Sequence, residues 1–265
     1  MRGPTRLAVA CWLLVAAVGA GPRAGHSQDE AAAGRSAFAV GERMIYSIRY
    51  GFVRAGEATM EVKEIVDCDG GKCYRLISEA RSTMPFSLFF EVKDSVSSLM
   101  DVAGLYSHRY EKNLKEGHYS KNEVILFDQV NHTATYPDSS VVEVPPEVHD
   151  VLTSLYFIRT VPLEVGKSVL IQNHSDRKNY PLEVKVIRTE SLSVPAGEFD
   201  CFVVQPILKA SGLFQHQGRL TVWLTSDQRR LPVKMSGKIV VGSIDAVLSK
   251  VVGGELTTEA GHDPR

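Results

Sequence analysis

Alternation with a period of two runs along most of this chain and limits its fold more than any other feature. Ala58, Met60 and Val62 alternate with Thr59, Glu61 and Lys63. Leu182, Val184 and Val186 alternate with Glu183 and Lys185, and Leu220, Val222 and Leu224 with Thr221 and Trp223. Successive side chains of a strand point to opposite faces, so each run reads as a strand with one buried face. Further strands are expected over 44–50, 74–83, 89–100, 106–114, 119–127, 133–136, 168–174, 199–208 and 233–248. Turn signals separate them at short intervals: Gly51 and Gly56, Asp69-Gly70-Gly71, Gly104, Glu116-Gly117, Pro137-Asp138 and Pro195-Ala196-Gly197. Strands joined this way form an antiparallel meander. At this length the meander must curl into an open or flattened barrel, or fold into a β-sandwich, because a flat sheet leaves long unpaired edges.

One segment departs from that rhythm. Val148, Val151, Leu152, Leu155, Tyr156 and Ile158 fall at helical spacing. Pro145 and Pro146 suit the start of a helix and Pro162 its end. One amphipathic helix is therefore expected near 147–159, between two strand-rich halves.

The chain's start reads as a targeting segment. Arg2 and Arg6 precede an apolar run from Leu7 to Ala20, and Val18 and Ala20 are small enough for a signal peptidase site. The run is shorter than the roughly 20 residues that span a bilayer comfortably. An N-terminal anchor, or a lipoprotein modified at Cys11, fits the pattern less well. The expected organisation is a signal peptide over 1–20, cleaved near Ala20, a flexible leader over 21–36, a single β-rich domain over 37–250 and a flexible tail over 251–265. The expected location is the periplasm or cell envelope, with no transmembrane span in the mature chain. A formal net charge of −1 and the lack of any basic block exclude nucleic acid as a partner class.

Cys68 and Cys73 flank an Asp-Gly-Gly turn. The two arms of a hairpin face each other, and an oxidising compartment lets such a pair bond, so a Cys68–Cys73 disulfide is expected. A zinc site is the rival reading, but no third or fourth ligand is evident in the sequence, and no metal is expected. Cys201 lies in an apolar strand and reads as a small buried hydrophobe.

No motif of a nucleophile elbow, a phosphate-binding loop or a helical zinc protease occurs. His149-Asp150 is the most tempting pair, yet neighbours on a helix point about 100° apart. A solvated helix face, with Asp150 favoured by the dipole of the first turn, is the plainer expectation. His108, His118 and His132 sit on separate strands or turns and are expected to decorate the surface. Asp94 and Asp227 are expected to form structural ion pairs with Arg159 or Arg230. No catalytic residue and no cofactor are therefore expected, and the chain does not read as an enzyme.

The segment 83–90 carries Met84, Phe86, Leu88, Phe89 and Phe90 between two strands. Exposed, it would be an interaction patch or the rim of an apolar cavity; buried, a barrel plug. Burial is the favoured expectation, with strand alternation pointing about half of these side chains inward. Leu213 and Phe214 offer a second rim loop. These seven residues are the candidate ligand-binding set. Asn131-His132-Thr133 and Asn173-His174-Ser175 match glycosylation acceptors, which a bacterial source would make chance matches.

Several groups of residues together resemble a known family. They are Phe38-Ala39-Val40-Gly41-Glu42 with Tyr46, Gly56, Val92-Lys93-Asp94-Ser95, Asp150 with Leu155-Tyr156-Phe157-Ile158-Arg159, Val194-Pro195-Ala196-Gly197-Glu198-Phe199, and Trp223-Leu224-Thr225-Ser226-Asp227 with Arg230-Leu231-Pro232. In order and spacing they resemble the bacterial exported proteins grouped as domain of unknown function 3108, over roughly 38–248. The resemblance implies a secreted or periplasmic β protein and no particular reaction. The layout is also similar to open-barrel periplasmic lipoprotein carriers, at the level of fold alone. Three roles follow as expectations: a module binding a lipid or other apolar small molecule, an envelope assembly module binding a protein partner, and a hydrolase with an unrecognised site.

Overall fold

The computed structural model describes residues 37–208, 220–238 and 242–254. The signal-peptide reading of 1–20, the leader over 21–36, and Leu213 and Phe214 all lie outside the described residues. Fourteen strands run β1 (Arg43–Tyr50), β2 (Val53–Cys68), β3 (Gly71–Ser82), β4 (Lys93–Asp101), β5 (Ser107–Glu116), β6 (Tyr119–Asp128), β7 (Thr133–Thr135), β8 (Val141–Glu143), β9 (Ser168–Ser175), β10 (Lys178–Val194), β11 (Gly197–Leu208), β12 (Leu220–Thr225), β13 (Pro232–Lys238) and β14 (Ser243–Val252), with helix α1 (Val151–Phe157) between β8 and β9. All ladders are antiparallel and form one sheet in the order β8-β7-β6-β5-β4-β3-β2-β1-β14-β13-β12-β11-β10-β9. A single continuous sheet excludes the β-sandwich.

The sheet curls because it has one inner face to bury. Met44 and Tyr46 of β1, Leu76 of β3, Ile125 of β6, Ile171 of β9, Leu224 of β12 and Leu248 of β14 all belong to one apolar cluster. Strands from the middle and from both halves of the sheet therefore surround the same interior. Each of these residues is at most 2% exposed. A side chain lining a space wide enough for water would expose surface to it, so the interior at these positions is packed solid.

Strands β8 and β9 do not pair, and side chains close the gap between them. Tyr136 Oη and His174 Nε2 lie 2.7 Å apart, and Asn179 Nδ2 donates to the Glu143 carbonyl at 2.6 Å. Arg177 donates to Asp138 at 2.8 Å and also bonds Ser140. Asn173 is 1% exposed within this seam and donates to Ser154 Oγ. A glycan could not be attached at Asn173 without unfolding the seam, so that triplet is structural.

Helix α1 is shorter than the 147–159 expected from its apolar spacing. Its start is fixed at Asp150, whose side chain accepts from the amides of Leu152 and Thr153. His149 before it is extended and bridges Asn173 of β9. At the other end of the chain, β14 continues to Val252, and Gly253 and Gly254 pack against Gly41 and Glu42, so 251–254 belong to the domain rather than to a tail.

The β2–β3 hairpin carries the expected disulfide between Cys68 and Cys73. It closes a small loop, which limits its entropic contribution to about 2 kcal/mol. Cys201 is free and fully buried, as its apolar strand suggested, and burial pushes its thiol up to about 11.

Candidate functional site

The two ends of the barrel differ in kind. One end is sealed by α1 and by the segment 37–42; the other presents apolar loops to solvent.

At the sealed end, Arg159 is fully buried and donates through Nη1 and Nη2 to the two carboxylate oxygens of Glu42 at 2.7 and 3.0 Å. The same guanidinium donates to the carbonyls of Ala37 and Arg229. Its flat faces meet the rings of Phe38 and Tyr156, 5.4 and 5.3 Å from their centroids. Burial opposes the charge on Arg159, and Glu42 outweighs it. The close ion pairs that the sequence suggests, of Arg159 or Arg230 with Asp94 or Asp227, do not form, although the Asp227 charge acts on Arg230. Asp94 accepts from the Lys115 amide, while Asp227 accepts from the Thr225 hydroxyl and the amides of Arg229 and Arg230. Glu42 was missed as the partner because it lies 117 positions away and only the barrel's closure brings the two together.

His149 and Asp150 are also buried here, not on a solvated face. The chain enters α1 from inside the seam, which turns both residues inward. Asp150 accepts from Ser98 Oγ, Ser107 Oγ and two helix amides, and burial still pushes its carboxyl up to about 6. Burial holds His149 down to about 3, so it is neutral. Both side chains are held inside the fold.

At the open end stand the β1–β2 turn and the β3–β4 loop, which are neighbours because β2 pairs with both β1 and β3. Phe52 is fully exposed, and Phe89, Leu88 and Met84 are 87%, 68% and 66% exposed. Val53 is exposed beside them. The expectation that the Met84–Phe90 segment is buried is therefore corrected. Residues Phe86–Leu88 form one 3₁₀ turn instead of continuing a strand, and no residue of that turn is buried. The loop's feet are tied by Thr83 N donating to Ala55 O and by Ser82 N donating to Val92 O, while Phe89 N and Phe90 N close the turn on Phe86 O. A tied loop presents its apolar side chains in a fixed arrangement.

Phe86 covers a cleft of about 20 Å³ lined also by Ile48, Ala55, Gly56, Ala80, Val92 and Asp94. This is room for about one water molecule. Gly56 has a specific reason to be glycine: a Cβ there would lie 2.3 Å from the Arg81 carbonyl oxygen. Polar residues flank the apolar loops. Arg54 and Arg81 share the carboxylate of Glu57 at 3.2 and 3.3 Å, and Lys115 pairs with Glu91 at 2.8 Å.

Beneath the loop, burial pushes Asp94 up to about 6, and burial with the neighbouring Asp94 charge pushes Glu116 up to about 7. Both folded values exceed the ordinary ones, so both groups favour the fold when protonated. Their contribution is fully present below about pH 4 and is lost as pH rises through about 6 to 7. The double variant Asp94→Asn/Glu116→Gln mimics the protonated pair. Thermal unfolding should find it equal to wild type near about pH 4 and more stable near about pH 8. This comparison isolates the pair from His149, whose titration acts in the opposite direction. A stability gap that does not change with pH would contradict the assignment.

Among the histidines, only His108 joins a cluster of ligand-type side chains within the described residues; His118 and His132 do not. No helix among the described residues is long and apolar enough to cross a membrane.

With this geometry in view, comparisons with known proteins place the chain. Residues 45–249 match the family model described as protein of unknown function, DUF3108. No curated protein matches the chain. Among solved structures it is similar to a β-barrel-like protein of domain of unknown function DUF1849 from Brucella abortus, with a TM-score of 0.55 and 10% identity over 82% of this chain and 99% of that one. It is also similar to a DUF1089 family protein from Pseudomonas aeruginosa, with a TM-score of 0.39 and 9% identity over 68% of this chain and 89% of that one. A Bacteroides fragilis protein with a YmcC-like fold gives a TM-score of 0.38 and 9% identity over 81% of this chain and 96% of that one. The first likeness supports a barrel-like fold, and none of them carries an activity to this chain. On the match of its strands from β1 to β14, the chain belongs to the DUF3108 family of proteins of unknown function.

Proposed function

We propose that this protein is an exported envelope protein without catalytic activity, which docks onto an anionic lipid surface through the apolar end of its barrel. One observation carries the reading: Phe52, Val53, Met84, Leu88 and Phe89 stand in solvent around the β1–β2 turn and the β3–β4 loop, while the core residues behind them among the described residues are closely packed. Each large apolar side chain withdrawn from water contributes about 1.5–3 kcal/mol to docking. The exposed guanidinium groups of Arg54 and Arg81 beside them favour anionic headgroups, by about 1 kcal/mol per basic residue near the surface. The solid interior speaks against a carrier that encloses a fatty acid. The sealing of Glu42, His149, Asp150 and Arg159 speaks against a hydrolase. Export is supported by the signal-peptide pattern over 1–20 and by the disulfide, which suits an oxidising compartment.

Co-sedimentation with lipid vesicles tests the reading. The protein should bind vesicles containing phosphatidylglycerol, bind neutral phosphatidylcholine vesicles more weakly, and lose the difference in high salt. It should take up no fluorescent fatty acid. Failure to sediment with either vesicle would overturn the lipid reading, and saturable uptake of the fatty acid would restore the carrier.

A further inference from the structure

The end of the β2–β3 hairpin lies at the opposite end of β3 from the Met84–Phe90 loop. Cys73 pairs in register with Asp101 of β4, and Cys68 reaches Cys73 across the turn. A bulge between β4 and β5 pairs Leu99 with Arg109 and Met100 with Ser107, leaving His108 between them without a partner in the ladder. Such a bulge re-aims a side chain, and here it turns His108 onto Asp101. His108 Nε2 and Asp101 Oδ2 lie 3.1 Å apart, with side chains only 12% and 10% exposed. The other oxygen, Oδ1, accepts from the amides of Ala103 and Gly104 at 2.8 and 2.6 Å, which fixes the carboxylate. One ligand atom from each of Cys68, Cys73, Asp101 and His108 lies within 4.8 Å of the others.

We propose that these four side chains form a redox-gated zinc site: closed by the Cys68–Cys73 disulfide and able to hold one Zn²⁺ when that bond is reduced. Two thiolates, an imidazole and a carboxylate are a tetrahedral zinc ligand set. Tetrahedral coordination separates two thiolate sulfurs by about 3.8 Å, so the present spread needs only a small inward adjustment once the sulfurs part. The amide-held Oδ1 of Asp101 supplies the outer hydrogen bonding that orients a ligand. Gly70, at a φ of 89°, lets the hairpin turn adjust as the sulfurs separate. The chemistry balances by thiol–disulfide exchange. A dithiol reductant transfers two electrons and two protons to the Cys68–Cys73 bond, giving two thiols and its own disulfide, and Zn²⁺ then displaces the two thiol protons to solvent. The missing third and fourth ligands of the hairpin cysteines are thus supplied by β4 and β5. The proposal is independent of lipid docking, which uses the other end of the barrel.

The test uses Co²⁺ as a spectroscopic stand-in, with the full mature chain either oxidised or reduced by a phosphine. Reduced protein should bind one Co²⁺ per chain with a thiolate-to-cobalt charge-transfer absorption, and Zn²⁺ should displace it. Oxidised protein should show no such absorption. Folded His108→Ala and Asp101→Asn, checked by circular dichroism, should each weaken binding by at least about tenfold while retaining the disulfide when oxidised. Absence of the absorption in reduced wild type would overturn the site. So would equal binding by oxidised protein, or wild-type affinity in both His108→Ala and Asp101→Asn, which would reduce the binding to a bare dithiol.

Discussion

Glu42→Gln is expected to destabilise the fold by about 3–5 kcal/mol, the cost of leaving a buried charge without its counterpart. Arg159 has no route to water: it is fully buried, and after the substitution it keeps only neutral partners, one amide oxygen at position 42, two carbonyls and two aromatic faces. The effect reaches beyond one contact. Arg159 joins the segment 37–42, the residues that follow α1 and the β12–β13 turn, where Arg229 also donates to Glu42 at 3.2 Å and Arg230 donates to the Arg159 carbonyl at 3.1 Å. Arg159→Met should also destabilise, though by less, because Arg229 still donates to the Glu42 carboxylate at 3.2 Å. The double variant Glu42→Leu/Arg159→Met removes both charges and should lie nearer wild type than either single variant. Urea unfolding of the four proteins measures this directly. Single variants with the wild-type midpoint would show that the pair does not hold the barrel end.

A second large loss is expected for Asp150→Ala, on the order of 3 kcal/mol. One carboxylate there accepts from Ser98, Ser107 and the amides of Leu152 and Thr153, so its removal strands several buried donors at once and uncaps α1. Asp150→Asn keeps an acceptor for the helix amides and should cost clearly less. Equal losses for the two variants would mean that charge, not the number of acceptors, sets the stability of this node.

Much of the architecture was legible because it depends on local pattern. Period-two alternation gave the strands and the meander, and the Asp-Gly-Gly turn gave the disulfide. The family-like residues were also legible as a set, but not their purpose. Phe38, Glu42, Tyr46, Tyr156, Arg159 and Pro232 are far apart in the chain and meet at one sealed end, where Tyr46 donates to the Pro232 carbonyl at 2.8 Å. In this structure those residues hold the barrel end closed.

What escaped the sequence required long-range geometry. Apolar periodicity suggested a helix from 147, whereas a pairing of His149 with β9 delays it to Val151. Hydrophobicity alone suggested that the Met84–Phe90 segment is buried, but a loop joining two strands at a barrel end has solvent on its outer side. The third and fourth partners of the cysteine pair were hidden because a bulge in β5, invisible in composition, sets the direction of His108.

If the open end is a docking surface and not a part of the core, Phe52→Ser/Phe89→Ser should separate folding from lipid binding, with thermal unfolding and vesicle sedimentation measured on the same preparation. Exposed positions change stability by about 0.5 kcal/mol or less, whereas truncating a packed phenylalanine costs about 3–5 kcal/mol. The double variant should melt with wild type and no longer sediment with phosphatidylglycerol vesicles. A double variant that unfolds many degrees lower, or that melts with wild type and sediments as well as it does, would show that this end is not a docking surface.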